Sequence, residues 1–312
     1  MSFDNEITRL FNIEFPIIGA PMFLVSYVDL VVAVSEAGGL GSFPAQNYRD
    51  LSELKDAIQE IRQKTNKPFA INIVMNRKYN PGWKEQLDTI LNEKTPIIIA
   101  SLGVPRTTIK EVKSMGAKII CDVVDSRHAV LLESLGADAL VAVSAGAGGH
   151  AGIITPFSLI PMLAGKTNLP IIAAGSISGG KQMAASFCLG AQAVYVGTRL
   201  LASSESMASD KYKSMVVNSS AEHIVYSDQV SGIGANWIKE SLESAGFHDN
   251  SNVTLNTPTH HNLDGQETMN NFKRWRDIWS AGHGVSQIDK VLPADKIMSQ
   301  MVKEYLEVIN KF

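Results

Sequence analysis

PIIAAGSISGGKQMAASFCLGAQAVYVGT, residues 170–198, decides the fold. A short Ile/Ala run ends in small and hydroxylated residues, a helical stretch follows, and a second apolar run ends in Gly-Thr. Runs rich in Ile and Val, or continuously apolar, are what strands of a parallel sheet buried on both faces look like. The same unit recurs upstream. PIIGAPM (16–22), GLGSFPA (39–45), FAINIVM (69–75), PIIIASL (96–102), KIICDVV (118–124) and ALVAVS (139–144) complete a set of eight, with starts 21 to 31 residues apart. Amphipathic stretches lie between them. One of these, DLSELKDAIQEIRQKT, offers Asp50 as N-cap and Glu53 to complete a capping box. Three helices are expected to end in the turns GAK, GAD and GAQ, with Gly as the C-terminal turn residue. Eight alternating units predict an α/β protein, a (β/α)8 TIM barrel. The competitor, a doubly wound open sheet, usually has fewer strands and a G-x-G-x-x-G after the first; here GAPMFLVS follows instead.

Residues 201–279 break the pattern. They are more polar, and they are read as a mostly helical insertion after the eighth strand that forms a substrate subdomain. Residues 1–200 and 280–312 then make the barrel, and the tail PADKIMSQMVKEYLEVINKF is its closing helix. At 312 residues and 45% hydrophobic, the chain supports one large core or two. A net charge of −3 speaks against a nucleic-acid or membrane-surface partner. The start, MSFDNEITRL, does not resemble a signal peptide, and no apolar run is long enough to span a bilayer. Cys121 and Cys188 are expected to be two buried thiols in a reducing cytoplasm. No metal site is expected: His260 and His261 are adjacent and lack a carboxylate pattern.

Barrel enzymes place their chemistry at the C-terminal ends of the strands. Those positions hold Ala20, Pro21 and Met22, then Asn72, Asp122, and Ser144–Gly152 with His150. The last two runs end in Ala174, Gly175, Ser176, Gly179 and Gly180, and in Gly197 and Thr198. Loops after the seventh and eighth strands often hold a phosphate, and Gly179–Gly180 lead into a helix N-terminus that favours negative charge. The alternative for each glycine is an ordinary left-handed turn.

These pieces resemble the nitronate monooxygenase family, also called 2-nitropropane dioxygenases, which is related to flavin-dependent enoyl-ACP reductases. The resemblance runs over nearly the whole chain: APM at 20–22, AGGLG at 37–41, INI at 71–73, GAGGHAG at 146–152, PIIAAGSISGG at 170–180, VGTR at 196–199 and WSAGHG at 279–284. It implies FMN at the barrel mouth, with its phosphate at the seventh and eighth loops. It further implies that Ala20, Pro21, Met22 and Asn72 lie along the ring, that Gly149 and His150 face the substrate, and that Gly282 and His283 contact flavin. Position 283 departs from the glutamine often found there, which puts its role in question. His150 resembles the family's catalytic histidine. It can take a proton from a carbon acid or hydrogen-bond an anion; the alternative is a histidine that only caps its loop. The implied activity is oxidation of alkyl nitronates with O2 to a carbonyl compound and nitrite. An NAD(P)H-dependent reductase acting on quinones or enoyl thioesters competes with it, and a non-catalytic flavin-binding protein is the third reading. The partners are a small-molecule substrate with O2 or NAD(P)H as the second, and a homodimer stays open.

Overall fold

The computed structural model describes residues 3–247 and 273–311. The eight apolar runs become β1 (Ile17–Gly19), β2 (Gly41–Pro44), β3 (Phe69–Val74), β4 (Ile97–Ser101), β5 (Lys118–Val123), β6 (Ala139–Val143) and, beyond a two-residue strand β7 (Gly149–His150), β8 (Ile171–Ala174) and β9 (Ala193–Val196). All eight pair in parallel, in the order β1-β9-β8-β6-β5-β4-β3-β2. The two ends meet as well. Ile18 bridges to Leu40, the Leu40 N–H donates to Ile17 O at 3.0 Å, and the Gly19 N–H donates to Leu40 O at 2.9 Å. The sheet therefore closes, and the fold is a (β/α)8 barrel.

Helix α1 (Glu6–Phe11) precedes the barrel. Between strands run α2 (Val28–Glu36), α3 (Leu51–Lys64), α4 (Trp83–Asn92), α5 (Thr108–Ser114), α6 (Ser126–Leu135), α7 (Pro156–Ala164) and α8 (Gly180–Cys188). A one-turn α9 (Thr198–Leu201) follows β9; α10 (Asp210–Val217), α11 (Lys239–Ser244) and α12 (Ala294–Ile309) come after it. The barrel strands feed two cores. Ile18, Ile99, Ile120, Val141 and Ile172 fill the barrel interior, which Ile7 and Phe11 of α1 join. Ile17, Ile71, Ile98, Ile119, Leu140 and Ile171 face the helices. This two-sided burial explains why the runs read as continuously apolar. Helix α12 buries Ala294, Ile297, Met298 and Met301, spaced on one helical face, and packs against α8 and α2 as the outer ring's last member.

Local expectations fare unevenly. Gly116, Gly136 and Gly190 of the three Gly-Ala turns have φ of 80°, 93° and 106°, as the left-handed reading requires. Asp50 is the N-cap of α3 but its side chain makes no capping bond, so the box with Glu53 does not form. Cys121 is buried, whereas Cys188 is exposed, because it falls on the outer face of α8.

The stretch after β9 contains α10 and α11 and also a strand pair that the sequence does not announce: β10 (Ile224–Ser227) antiparallel to β11 (Ala235–Ile238). Strand β11 pairs in turn with β7, Ala235 opposite His150 and Asn236 opposite Gly149. The loop after β6 is thus an edge strand of the insertion's sheet. Among the described residues no helix is long and apolar enough to cross a membrane.

Candidate active site

The loops at the strand ends are tied to one another at the barrel mouth. Two amides, Ser176 N–H at 3.2 Å and His283 N–H at 3.0 Å, donate to the same Gly146 carbonyl. The Gly282 N–H donates to Thr198 Oγ1 at 2.9 Å, and Ser144 Oγ donates to the Ala174 carbonyl. Segments 144–149, 174–176, 197–198 and 282–283 therefore converge. Small residues make this possible. A Cβ on Gly282 would lie 2.8 Å from the Gly148 nitrogen, and one on Gly175 would lie 2.7 Å from Ser144 Oγ. Ser176 is held at φ 58°, a left-handed conformation uncommon for a non-glycine residue and a known companion of ligand-binding loops. On the β1 side, Ala20 N–H donates to Val196 O at 2.9 Å and Met22 N–H to Ser26 Oγ at 3.0 Å, and Ala20 and Met22 lie beside Gly197, with Pro21 between them in the chain.

The helix N-terminus that the sequence offers to a phosphate is already taken. Glu304 of α12 accepts the Gly180 N–H on Oε2 at 2.8 Å and caps α8. A Cβ on Gly180 would collide with the α12 backbone at Met301 and Tyr305, so this glycine serves helix packing. A Cβ on Gly179 would stand 2.7 Å from the same carboxylate oxygen. A phosphate here would displace or repel that carboxylate. Gly179 and Gly180 are therefore set apart from the other glycines of the loop.

His150 faces the insertion. Its loop is fixed by a buried relay in which Gly149 N–H donates to Ser280 Oγ at 2.6 Å, Ser280 Oγ donates to Asn236 O at 2.6 Å, and Asn236 Nδ2 donates to Ala147 O at 2.6 Å. Tyr212 OH donates to Ser280 O at 2.5 Å. The imidazole meets Trp275 edge-on at 5.2 Å, and Trp275 packs on Trp237 at 4.4 Å. Its Nε2 lies 3.3 Å from Ser231 Oγ. Ser231 spends its own proton on Ile233 O at 2.8 Å, so its oxygen is left to accept the Nε2–H of His150. The assigned tautomer then keeps a lone pair on Nδ1. Arg274 Nη1 donates to Ser231 O at 3.5 Å. Burial, and secondarily the Arg274 charge, push the His150 pKa down to about 4. The ring is neutral at neutral pH.

Asn72 and Asp122 lie on the inner wall, joined by Ser101. Asn72 Nδ2 donates to Ile99 O at 3.1 Å and to Ser101 Oγ at 2.7 Å, and Ser101 donates to Asp122 Oδ2 at 2.5 Å. The sequence singles out neither Ser101 nor Tyr195. Ser231, Asn236, Trp237, Arg274, Trp275 and Ser280 are missed too, because their role depends on the strand pairing of β11 with β7. The remaining histidines stand elsewhere. His128 is exposed and pairs with Asp125, and His223 is exposed at a turn. His248, His260 and His261 lie outside the described residues. Among the described residues no group of three His, Cys, Asp or Glu side chains is placed to hold a metal.

The nitronate monooxygenase family model matches residues 4–82 and 74–304. The chain belongs to the nitronate monooxygenase family. A probable nitronate monooxygenase of Staphylococcus saprophyticus is 26% identical over the full length of both chains, and one of Staphylococcus aureus is 30% identical over 73% of this chain and 76% of its own. The solved FabK from Thermotoga maritima is 31% identical, covers 99% of this chain and 98% of its own, and superposes with a TM-score of 0.85. The nitroalkane oxidase of Streptomyces ansochromogenes shares the fold, with 23% identity and a TM-score of 0.78 over 98% and 99% of the two chains. The chain is a flavin-dependent oxidoreductase acting on a small molecule. The mouth fits such a group: its glycines leave the loop backbones bare, and Asp122 Oδ1, Tyr195 OH and Ser178 Oγ are buried without a hydrogen-bond partner.

Proposed function

We propose that this enzyme oxidises alkyl nitronates with O2, giving a carbonyl compound and nitrite, with FMN as its flavin. The residues suited to the phosphate are Ala174, Gly175, Ser176, Gly197 and Thr198; Gly179 and Gly180 are left out because Glu304 occupies their helix end. Ala20, Pro21, Met22, Asn72 and Asp122 would border the ring, Gly282 and His283 would close over it, and Gly149 and His150 would face the substrate. Residues 201–279 act in this reading as the substrate-side subdomain. When bound, the flavin takes electrons from the substrate and hands them to O2.

The observation that carries the choice of nitronate is the pairing of a neutral His150 with the Arg274 cation. A fixed positive charge beside a water-poor wall of Trp237 and Trp275 favours an anion. A base with a pKa of about 4 is mismatched to removing a proton from a carbon acid at neutral pH. The substrate is accordingly an anion that has already lost its proton, with Arg274 as the charge that favours it, while the neutral His150, its ring held by Ser231 and its loop by Ser280, walls the pocket. The test is kcat/KM for an alkyl nitronate against its parent nitroalkane. The nitronate should be preferred by about 100-fold or more, the range that efficient general-base catalysis would otherwise supply. Equal values would return His150 to the role of base.

The competing reading, NAD(P)H-dependent reduction of an enoyl thioester, is favoured by one observation. The Thermotoga FabK, an enoyl-ACP reductase, is more similar to this chain than the nitroalkane oxidase is.

A further inference from the structure

The relay on the inner wall has a direction and an open end. Both amide hydrogens of Asn72 are spent on Ile99 O and Ser101 Oγ, so its Oδ1 is presented as an acceptor. Ser101, having accepted from Asn72, gives its proton to Asp122 Oδ2. The chain of donors ends at Asp122 Oδ1, which is sealed from solvent and has no partner. The same is true of Tyr195 OH on β9. Both residues are only half-buried overall, so their stems border open space while their polar tips do not reach water. Burial first, and the Asp122 charge second, raise the Tyr195 hydroxyl pKa. A buried polar atom without a partner is costly, so the carboxylate tip that ends the Asn72–Ser101–Asp122 relay is the place where a proton would be gained most readily.

Few groups compete for Asp122. Val141 of β6 is its register partner and is apolar, and β4 contributes Ser101. Tyr195 on β9 and Cys121 on β5 are titratable groups whose pKa is raised first by burial and then by its charge. Burial holds the Asp122 carboxyl up at about 6 despite the Ser101 bond, which favours the carboxylate. Among the described residues no cation beside it offsets that burial.

We propose that Asp122 couples electron uptake by the bound flavin to the uptake of a proton on Asp122 Oδ1, with the buried Tyr195 hydroxyl setting the pH at which this happens. The inference rests on the reading that flavin occupies the mouth. Extra electron density near Asp122 disfavours its carboxylate, so reduction at neutral pH draws one proton from solvent onto Oδ1 and turns an unpartnered acceptor into a donor. The electrons come from the substrate in turnover, or from dithionite in the test.

The experiment is a dithionite redox titration of the purified holoprotein across the neutral pH range, for wild type, Asp122→Asn and Tyr195→Phe. A reduced-minus-oxidised infrared difference spectrum accompanies it. The wild-type midpoint potential should fall more steeply with pH than that of Asp122→Asn, and its infrared difference should gain the carbonyl band of a protonated carboxylic acid. Tyr195→Phe should keep the steeper dependence at a displaced pH. Coincident slopes for wild type and Asp122→Asn overturn the inference. If Asp122→Asn does not retain flavin, the wild-type spectrum decides, and absence of the acid band overturns the inference. A protein that binds no flavin after reconstitution overturns the cofactor reading together with it, whereas a flavoprotein with coincident slopes overturns only this inference.

Discussion

His150 should titrate far below the other histidines. Its ring is wedged between Trp275 and Ser231 with Arg274 close by, and its pKa falls from the ordinary 6.5 to about 4. That is about 2.5 units, worth about 3 kcal/mol against the imidazolium. At pH 5.5 an ordinary histidine is about 90% protonated, whereas His150 would be about 3% protonated. Because its folded pKa lies below the unfolded value, the unfolded chain binds more protons between the two. This site's stability contribution is complete above about pH 6.5 and is lost as pH falls toward about 4. The assay is a proton NMR titration of the seven histidine rings, with His150 assigned by its disappearance in His150→Asn. Burial is the larger cause, so Trp275→Ala should return the pKa most of the way toward 6.5 by admitting water, and Arg274→Gln should return it only part of the way. A His150 signal that titrates near 6.5 in the wild type would refute the claim that the insertion desolvates this ring. Full recovery in Arg274→Gln alone would show that charge, not burial, sets the value.

Gly180→Ala should destabilise the fold by about 1–3 kcal/mol through overpacking against α12, lowering Tm by roughly 2–4 °C per kcal/mol, with flavin affinity of the folded protein unchanged; lost flavin at an unchanged Tm would put the phosphate back at this helix. Asp122→Asn should stabilise the apoprotein near neutral pH by up to about 3 kcal/mol, because the folded Asp122 pKa of about 6 exceeds the unfolded value of 3.8; the gain should shrink as pH falls through that window and vanish below about 4, as denaturant titrations at several pH values would reveal. Heat-denatured protein should release FMN in a one-to-one ratio with the chain; FAD in the supernatant would contradict the single-phosphate reading.

The barrel is legible because each strand's two buried faces leave an unbroken apolar run, and the period of those runs counts the strands. The mouth is legible for a related reason: Ala20–Met22, Gly175–Ser176 and Gly197–Thr198 are read at strand ends, where a barrel puts its chemistry. Gly179 and Gly180 look like more of the same, yet the Gly180 N–H is bound by Glu304, 124 residues beyond it and part of a helix whose sequence says only that it is amphipathic. Ser101 and Tyr195 hide inside PIIIASL and AVYVGT because one polar residue in an apolar run does not announce which way it points. The environment of His150 is the least legible. Ser231, Asn236 and Trp237 approach it through a β11–β7 pairing of short strands 85 residues apart, Asn236 opposite Gly149 and Ala235 opposite His150, and no local pattern encodes that pairing.

Oxidation of nitronates can be watched by mixing the flavin-loaded protein anaerobically with an alkyl nitronate and, separately, with NADH and NADPH, while following the flavin's visible absorbance. A nitronate-oxidising enzyme should be bleached rapidly by the nitronate and by neither nicotinamide, and should recover its colour with release of nitrite when O2 is admitted. Rapid bleaching by NADH or NADPH, with none by the nitronate, would contradict it and assign the barrel to reductive chemistry.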